Sequence, residues 1–342
     1  MLWISWKDVL NRQEGRFLQQ DDLPQKEIIV NTTEMLKQKH LLTMFTEAAK
    51  PLLFVGATGT GKTVAISQFL RELNRDKFDN LTICFSAKST ANFTQKQIQD
   101  KLEKKKRRHL GPANNKKLLV FIDDLNMPAV EKQGAQPPIE LLRQWMDHKQ
   151  WYDYTDKGNQ LQKISDIVFV AAMCPPAGGK NPVTPRFTHH FNIVTSSAFD
   201  KHVMSRIFCR IIDYHIRREG IIGTDTAKTL KEVVEASIDV FLFAQLNLRP
   251  TPAKSHYLFN LRDVSRVVHG IQMMNVFVHG SKQKMVRLWV HECARVFSDR
   301  LNDEADVAKL FDQMYNSCRD FIKEDIFTCF RAVIPDAMFA EN

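Results

Sequence analysis

The chain has 342 residues, is 44% hydrophobic and carries a formal net charge of +9, which is length enough to bury a large core and to form about two domains. Its longest clean apolar stretch, Ile167 to Cys174, falls far short of the roughly 20 residues that a membrane helix needs, and Lys7 and Asp8 interrupt any signal-peptide core, so neither a membrane span nor export is expected. Six cysteines without a C-x-x-C pair argue against both a zinc site and a disulfide framework and predict reduced, mostly buried thiols.

In chain order, residues 1–45 show no closed core of their own; Trp3, Trp6 and Phe17 stand among polar residues, as in a connector docked on a larger body. The apolar run from Pro51 to Val55 predicts a buried strand, and it leads into Gly56-Ala57-Thr58-Gly59-Thr60-Gly61-Lys62-Thr63, a complete G-x-x-x-x-G-K-[ST] phosphate loop. The glycines let backbone N–H groups curl round phosphates, and the predicted helix from Thr63 to Leu73 aims its positive end at them. Lys62 is expected to reach the β- and γ-phosphates of a nucleoside triphosphate, and Thr63 to take one position on Mg²⁺.

Further strands are predicted at Leu81–Ser86, Leu118–Asp123, Asp166–Met173 and Phe191–Val194, alternating with helices at Ala91–Lys106 and Pro138–Asp147. That alternation predicts an α/β fold, a parallel five-stranded sheet with helices on both faces. The run Lys104-Lys105-Lys106-Arg107-Arg108, with Lys116 and Lys117 close behind, reads as a solvated helix end in preference to a nuclear signal or a polyanion site. Trp151 to Lys163, with Lys157-Gly158-Asn159 at its centre, reads as an inserted hairpin.

The strand Leu118 to Ile122 ends in paired acids, Asp123 and Asp124. Burying it requires a nearby cation, so Asp123 is expected in the Mg²⁺ shell through a water and Asp124 in polarising the attacking water. An aspartate is one methylene shorter than glutamate, a misplacement that costs turnover more than binding. No N-K-x-D guanine-reading sequence follows, which favours adenine, as ATP or ADP.

After Phe199 no strand signal remains, and helical periodicity is predicted over Asp200–Arg218, Ala227–Gln245, Leu261–Met274, Lys284–Leu301 and Val307–Ile322. Leu288, Trp289, Cys293, Val296 and Phe297 form a packing stripe there. The expected organisation is thus a connector at 1–45, a nucleotide-binding domain at 46–198 and an all-helical domain at 199–342.

Phe121-Ile122-Asp123-Asp124-Leu125-Asn126-Met127-Pro128, the stretch from Gly134 to Trp145, Asn181-Pro182-Val183-Thr184-Pro185-Arg186-Phe187 and the stretch from Pro250 to Asp263 together resemble an AAA+ module of dynein heavy chains. The likeness is narrower still to the third module of an axonemal dynein, and it covers nearly the whole chain. It implies an AAA+ sheet domain followed by a helical lid, within a ring of such modules in a much longer chain. In that family the third module binds nucleotide in a regulatory role in a minus-end-directed ciliary motor. The microtubule is touched only through the parent's stalk, of which no long heptad repeat is visible here.

The implied partners are neighbouring AAA+ modules of the same heavy chain and the parent's intermediate and light chains. The implied setting is the cytoskeleton of the ciliary or flagellar axoneme, with neither membrane nor nucleic acid expected. Arg186 falls where the family's arginine finger sits and would act in trans on a neighbouring module's nucleotide; a surface helix-cap cation is the alternative. Arg262, with Arg266 one turn later, matches the lid's sensor arginine. Cys174 occupies a strand end where many such modules place a polar sensor, and a thiol is a weak hydrogen-bond partner. Ile29 and Val30, within Ile28 to Thr33, resemble the connector that covers the adenine, against simple packing. Ile221-Ile222-Gly223 and the lid helices would pass small shifts onward. The resulting expectation is a nucleotide binder with slow or no hydrolysis in isolation. A stand-alone self-oligomerising ATPase and a nucleic-acid-dependent machine using the Lys104–Arg108 run are the rival readings.

Overall fold

The computed structural model describes residues 4–17, 28–153, 160–176, 179–218, 220, 224–273 and 281–331. By internal contacts the chain divides into two compact units, residues 33–198 and residues 1–32 together with 199–342.

Along the chain, the strands are β1 (Leu52–Gly56), β2 (Phe78–Cys84), β3 (Glu103–Lys106), β4 (His109–Gly111), β5 (Lys117–Asp123), β6 (Gln150–Tyr152), β7 (Leu161–Ile164), β8 (Ile167–Met173) and β9 (Asn192–Ser196). The main sheet has the order β2-β5-β8-β1-β9, and every pairing in it is parallel. Such a sheet must be covered on both faces, and its strands therefore read as continuous apolar runs. Strand β5 illustrates the rule: Leu118, Leu119, Val120, Phe121 and Ile122 are all fully buried. Alternation then sorts them. Leu118, Val120 and Ile122 pack in one core with Ile98, Ile139, Leu142 and Trp145, while Leu119 and Phe121 pack in the other with Leu42, Ile66, Phe69 and Leu70.

Helix α1 (Trp6–Phe17) belongs to the other unit; the residues named come from α2 (Thr33–Glu47), α3 (Lys62–Glu72), α4 (Ala91–Gln99) and α5 (Pro137–His148), and the short α6 (Pro185–Thr188) follows β8. The expected five-stranded α/β architecture is present. Helix α2 was not expected, and β2 starts three residues before its predicted position, its polar first half Phe78-Asp79-Asn80 being held by the ladder to Lys117-Leu118-Leu119.

One expectation is corrected. Helix α4, capped where Thr90 Oγ1 accepts from the Phe93 N–H at 3.3 Å, ends at Gln99 and does not reach Lys106. Glu103 to Lys106 instead form β3, antiparallel to β4, with a bulge between Lys104 and Lys106 and Arg108 at φ 58° in the turn. The basic run is a hairpin, not a helix end, because Leu102 and Leu110 insert into the sheet's core on either side of it. Its lysines lie exposed on an edge strand of a second sheet ordered β3-β4-β7-β6, a placement that discourages further strand pairing. The predicted hairpin from Trp151 to Lys163 is present as β6 antiparallel to β7, with Trp151 opposite Gln162. Its tip, Lys157 to Asn159, lies outside the described residues, as do Trp3, Met274 and Ile221 to Gly223.

The other unit contains α7 (Lys201–Arg218), α8 (Thr224–Asn247), α9 (Leu261–Gln272), α10 (Lys282–Cys293), α11 (Glu304–Ser317) and α12 (Ile326–Arg331). Among the described residues of 199–342 there is no strand, as the periodicity predicted. Trp289, Cys293, Val296 and Phe297 are buried, and Leu288 is half-buried. The Trp289 indole is satisfied by donating to Ser237 Oγ at 2.9 Å. The helices predicted through Leu301 and Ile322 widen into single π-turns at Ala294–Ser298 and Cys318–Ile322. Among the described residues no helix is long and apolar enough to cross a membrane.

Candidate functional site

Strand β1 runs into the phosphate loop and helix α3 leaves it, so the loop is pinned between a sheet edge and a helix N-terminus whose first-turn N–H groups point outward. Gly59 and Gly61 take φ of 84° and 78°, the left-handed region that glycine enters at no steric cost. Gly56 is required for a different reason: a Cβ there would stand 2.4 Å from the Ser196 carbonyl oxygen on β9. Thr60 Oγ1 donates to the Ala57 carbonyl at 3.0 Å and tightens the turn.

The Lys62 ammonium donates to the carbonyls of Gly56 at 2.8 Å and Ala57 at 2.7 Å and to Thr60 Oγ1 at 3.1 Å. It therefore lies curled inside its own loop, with the side chain almost wholly buried. Burial lowers its pKa from the ordinary lysine value, opposed electrostatically by the acidic groups around it, Asp123 and Asp124 among them. Phosphate oxygens are stronger partners for an ammonium than these carbonyls are, so the cradle fits a polyanion.

Asp123 ends β5 beside the loop, and Thr63 Oγ1 donates to its two carboxylate oxygens at 3.0 and 3.2 Å. Burial raises the Asp123 pKa above the ordinary carboxylate value, with the Thr63 hydrogen bond working against that rise. A hydroxyl and a partly desolvated carboxylate facing each other are hard oxygen donors of the kind that Mg²⁺ selects, so Thr63 and Asp123 fit that ion.

Asp124 turns away from the strand with φ 52°, a left-handed conformation that aspartate tolerates better than most residues. Its N–H donates to Asp123 Oδ1 at 3.0 Å. Its carboxylate pairs with Lys180 Nζ at 2.6 Å. This ion pair was not foreseen in the sequence, although a cation near the paired acids was. Cys174 directly follows β8, at the strand end where it was expected; it is buried, with Sγ 3.8 Å from Thr58 Oγ1. Its carbonyl accepts from Asn126 Nδ2 at 2.8 Å. Asn126, which no sequence motif marks as a site residue, is buried, and its Oδ1 makes no hydrogen bond.

The fold thus brings together Gly56, Ala57, Thr58, Gly59, Thr60, Gly61, Lys62, Thr63, Asp123, Asp124 and Cys174. Arg186 is placed apart from them on α6, exposed, while its neighbour Phe187 is fully buried against Phe191 with ring centroids 5.1 Å apart. Ile29 is half-buried, Val30 is buried, and both belong with Arg262 to the other unit. There Asp263 closes a capping box on Asn260 and engages Arg300 at 2.8 Å and Arg266 at 3.2 Å. Arg262 is exposed on the same turn and carries neither of those bonds.

The family model described as the P-loop containing dynein motor region matches residues 17–199. The chain belongs to the dynein motor family. A second model, the dynein heavy chain ATPase lid domain, matches residues 219–307 of this dynein module, so the sheet unit carries the family's P-loop and the lid match falls within the helical region that follows it. Dynein axonemal heavy chain 12 of Mus musculus is 41% identical over 329 residues, covering 96% of this chain and 10% of the relative. Dynein axonemal heavy chain 3 of Homo sapiens is 39% identical over 334 residues, covering 97% and 8%. Dynein axonemal heavy chain 1 of Homo sapiens is 41% identical over 330 residues, covering 93% and 8%. The chain therefore spans a tenth or less of the length of these curated relatives.

Proposed function

We propose that this dynein module binds ATP or ADP with Mg²⁺, turns it over slowly or not at all by itself, and serves as a regulatory third module in an axonemal heavy chain. The observation that carries this reading is the assembly of Lys62, Thr63 and Asp123 at one strand end, within hydrogen-bonding reach of the loop or of one another. Lys62 and the N–H groups of Gly59 to Thr63 would grip the phosphates, and Ile29 and Val30 would cover the adenine. When bound, Mg²⁺ would neutralise phosphate charge, held by Thr63 and Asp123.

Slow turnover follows from three features. Asp124 is short for a water-polarising residue and is tied to Lys180. Cys174 offers a thiol where a firmer hydrogen-bond partner would orient a water. The arginine finger for this site would come from a neighbouring module, just as the exposed Arg186 would serve its own neighbour. Arg262 would report nucleotide state to the lid, and the lid to the next module.

In the parent motor, this places the module in the axonemal cytoskeleton beside neighbouring AAA+ modules. Intermediate and light chains belong to the complex, and the microtubule is met only through the parent's stalk.

The test is thermal unfolding with and without Mg²⁺ and ATP or ADP. A ligand at about 100 times its Kd raises stability by about 2.7 kcal/mol. Lys62→Ala is expected to abolish that shift and Arg186→Ala to preserve it. An undiminished shift in Lys62→Ala would reject the site, and loss of the shift in Arg186→Ala would reject its role in trans.

A further inference from the structure

Away from the phosphate loop, the last turn of α5 meets the end of α6. There Asp147, His189 and His190 each offer a ligand atom, and the three atoms lie within 4.8 Å of one another. His190 Nε2 is 2.9 Å from Asp147 Oδ1, yet this nitrogen is shielded from solvent and makes no aligned hydrogen bond. The two imidazoles lean together with centroids 3.9 Å apart.

The surroundings have the form of an outer shell. His189 Nδ1 donates to the Pro185 carbonyl at 3.3 Å, a bond that fixes ring orientation and leaves Nε2 as the basic nitrogen. Arg143 Nη1 holds the other oxygen of Asp147 at 2.9 Å, and Arg143 Nε is shared with Glu140 at 2.7 Å. The carboxylates of Asp147 and Glu140 are balanced by the Arg143 guanidinium and the Lys149 ammonium, whose charge also acts on Asp147 and His190, so the cluster is close to neutral before any cation arrives. Lys149 lies nearby, its ammonium 4.0 Å from the Trp145 ring centroid, directed at the indole face.

We propose that Asp147, His189 and His190 form a binding site for a divalent first-row transition ion, with zinc as its representative. Two imidazoles and one carboxylate suit such an ion and suit Mg²⁺ poorly. With three protein ligands, a fourth position is open to water or to a side chain of a neighbouring module. The ion would clip the C-terminus of α5 to the residues directly after α6, the short helix that carries Arg186. The site stands on its own residues, outside the nucleotide cradle, so its failure leaves the nucleotide reading untouched.

The test is titration of the metal-stripped chain with Zn²⁺ by calorimetry, and with Co²⁺ by visible absorption. The expected result is one ion per chain and a Co²⁺ spectrum without thiolate charge transfer. Affinity should drop at least about tenfold in His189→Ala/His190→Ala and in Asp147→Asn, and remain unchanged in Lys62→Ala and Thr63→Ala. Both histidines lie at the surface or only half-buried, and an unchanged far-ultraviolet dichroism would show that the variants fold. His190→Ala alone, against His189→Ala alone, gives a second reading should the double variant fail to fold. Absence of binding, equal affinity in the variants, or a cobalt–thiolate band pointing to the exposed Cys84 would each overturn the proposal.

Discussion

The two units of this chain treat buried charge in opposite ways. In the helical unit, Asp263 is closed on every side by a capping box, Arg266 and Arg300. Lys254 is divided between Asp303 at 2.9 Å and Asp306 at 2.5 Å, and Asp239 accepts from Gln313 Nε2 and Ser317 Oγ and pairs with Lys201. At the phosphate loop the balance is left incomplete: Lys62 is bonded only to neutral oxygens, and Asp123 is raised by burial that the Thr63 hydroxyl does not offset. Closed networks specify a structure, whereas a partly compensated cluster makes room for a ligand that completes it.

Breaking the closed side should have the largest effect. Asp263 is 2% exposed at its side chain, while Arg266 is 62% exposed and able to rehydrate. Asp263→Ala should therefore lose the cap and the Arg300 pair, costing about 3 kcal/mol. Urea unfolding followed by hydrogen exchange in α9 would measure it, and a loss under about 1 kcal/mol would show that the network is not structural. Arg266→Ala should cost far less, since the exposed partner of an ion pair contributes little.

The nucleotide end was legible because a phosphate loop has fixed spacing, and because Leu118 to Ile122 can only be a buried strand ending at Asp123. The helices after Phe199 were legible for a related reason, apolar residues at helical spacing. What escaped notice depends on the path of the chain. Lys180 meets Asp124 across 56 residues through a loop with no local signature. The Lys104–Arg108 run obeyed helix-end charge logic until Leu102 and Leu110 were seen to anchor a hairpin. Asp147, His189 and His190 converge only when α5 and α6 pack together. The same holds for the arginines of the lid: Asp263 takes Arg266 from its own helix, as spacing allows, and Arg300 from 37 residues away.

A smaller effect should sharpen the comparison at the loop itself. Lys180 is 20% and Asp124 41% exposed at their side chains, so the pair contributes about 1 kcal/mol or less. Lys180→Met should leave the nucleotide-dependent thermal shift unchanged and raise single-turnover hydrolysis by no more than about fivefold, the rate equivalent of that energy. A fall in rate would reassign Lys180 from restraining Asp124 to assisting the phosphates.

The smallest effect is a divergence of the two units with pH. Burial holds the Asp123 pKa above its unfolded value of about 3.9. As pH falls through the raised value, the folded state takes the proton first, so the sheet unit gains stability until pH passes below the unfolded pKa. Asp306 runs the other way. The Lys254 hydrogen bond lowers its pKa, so its contribution is complete above the unfolded value and is lost as pH falls through the folded one. Between neutral pH and about pH 4, hydrogen exchange should therefore slow in β5 while α11 holds steady; below pH 4, α11 should loosen. Asp123→Asn should remove the first trend and Asp306→Asn the second. With Mg²⁺ and ADP present, the first trend should reverse in the wild type, because holding the ion requires the charged carboxylate and acid then weakens the ligand's stabilisation. A β5 trend that keeps its sign with ligand would place Asp123 outside the metal shell.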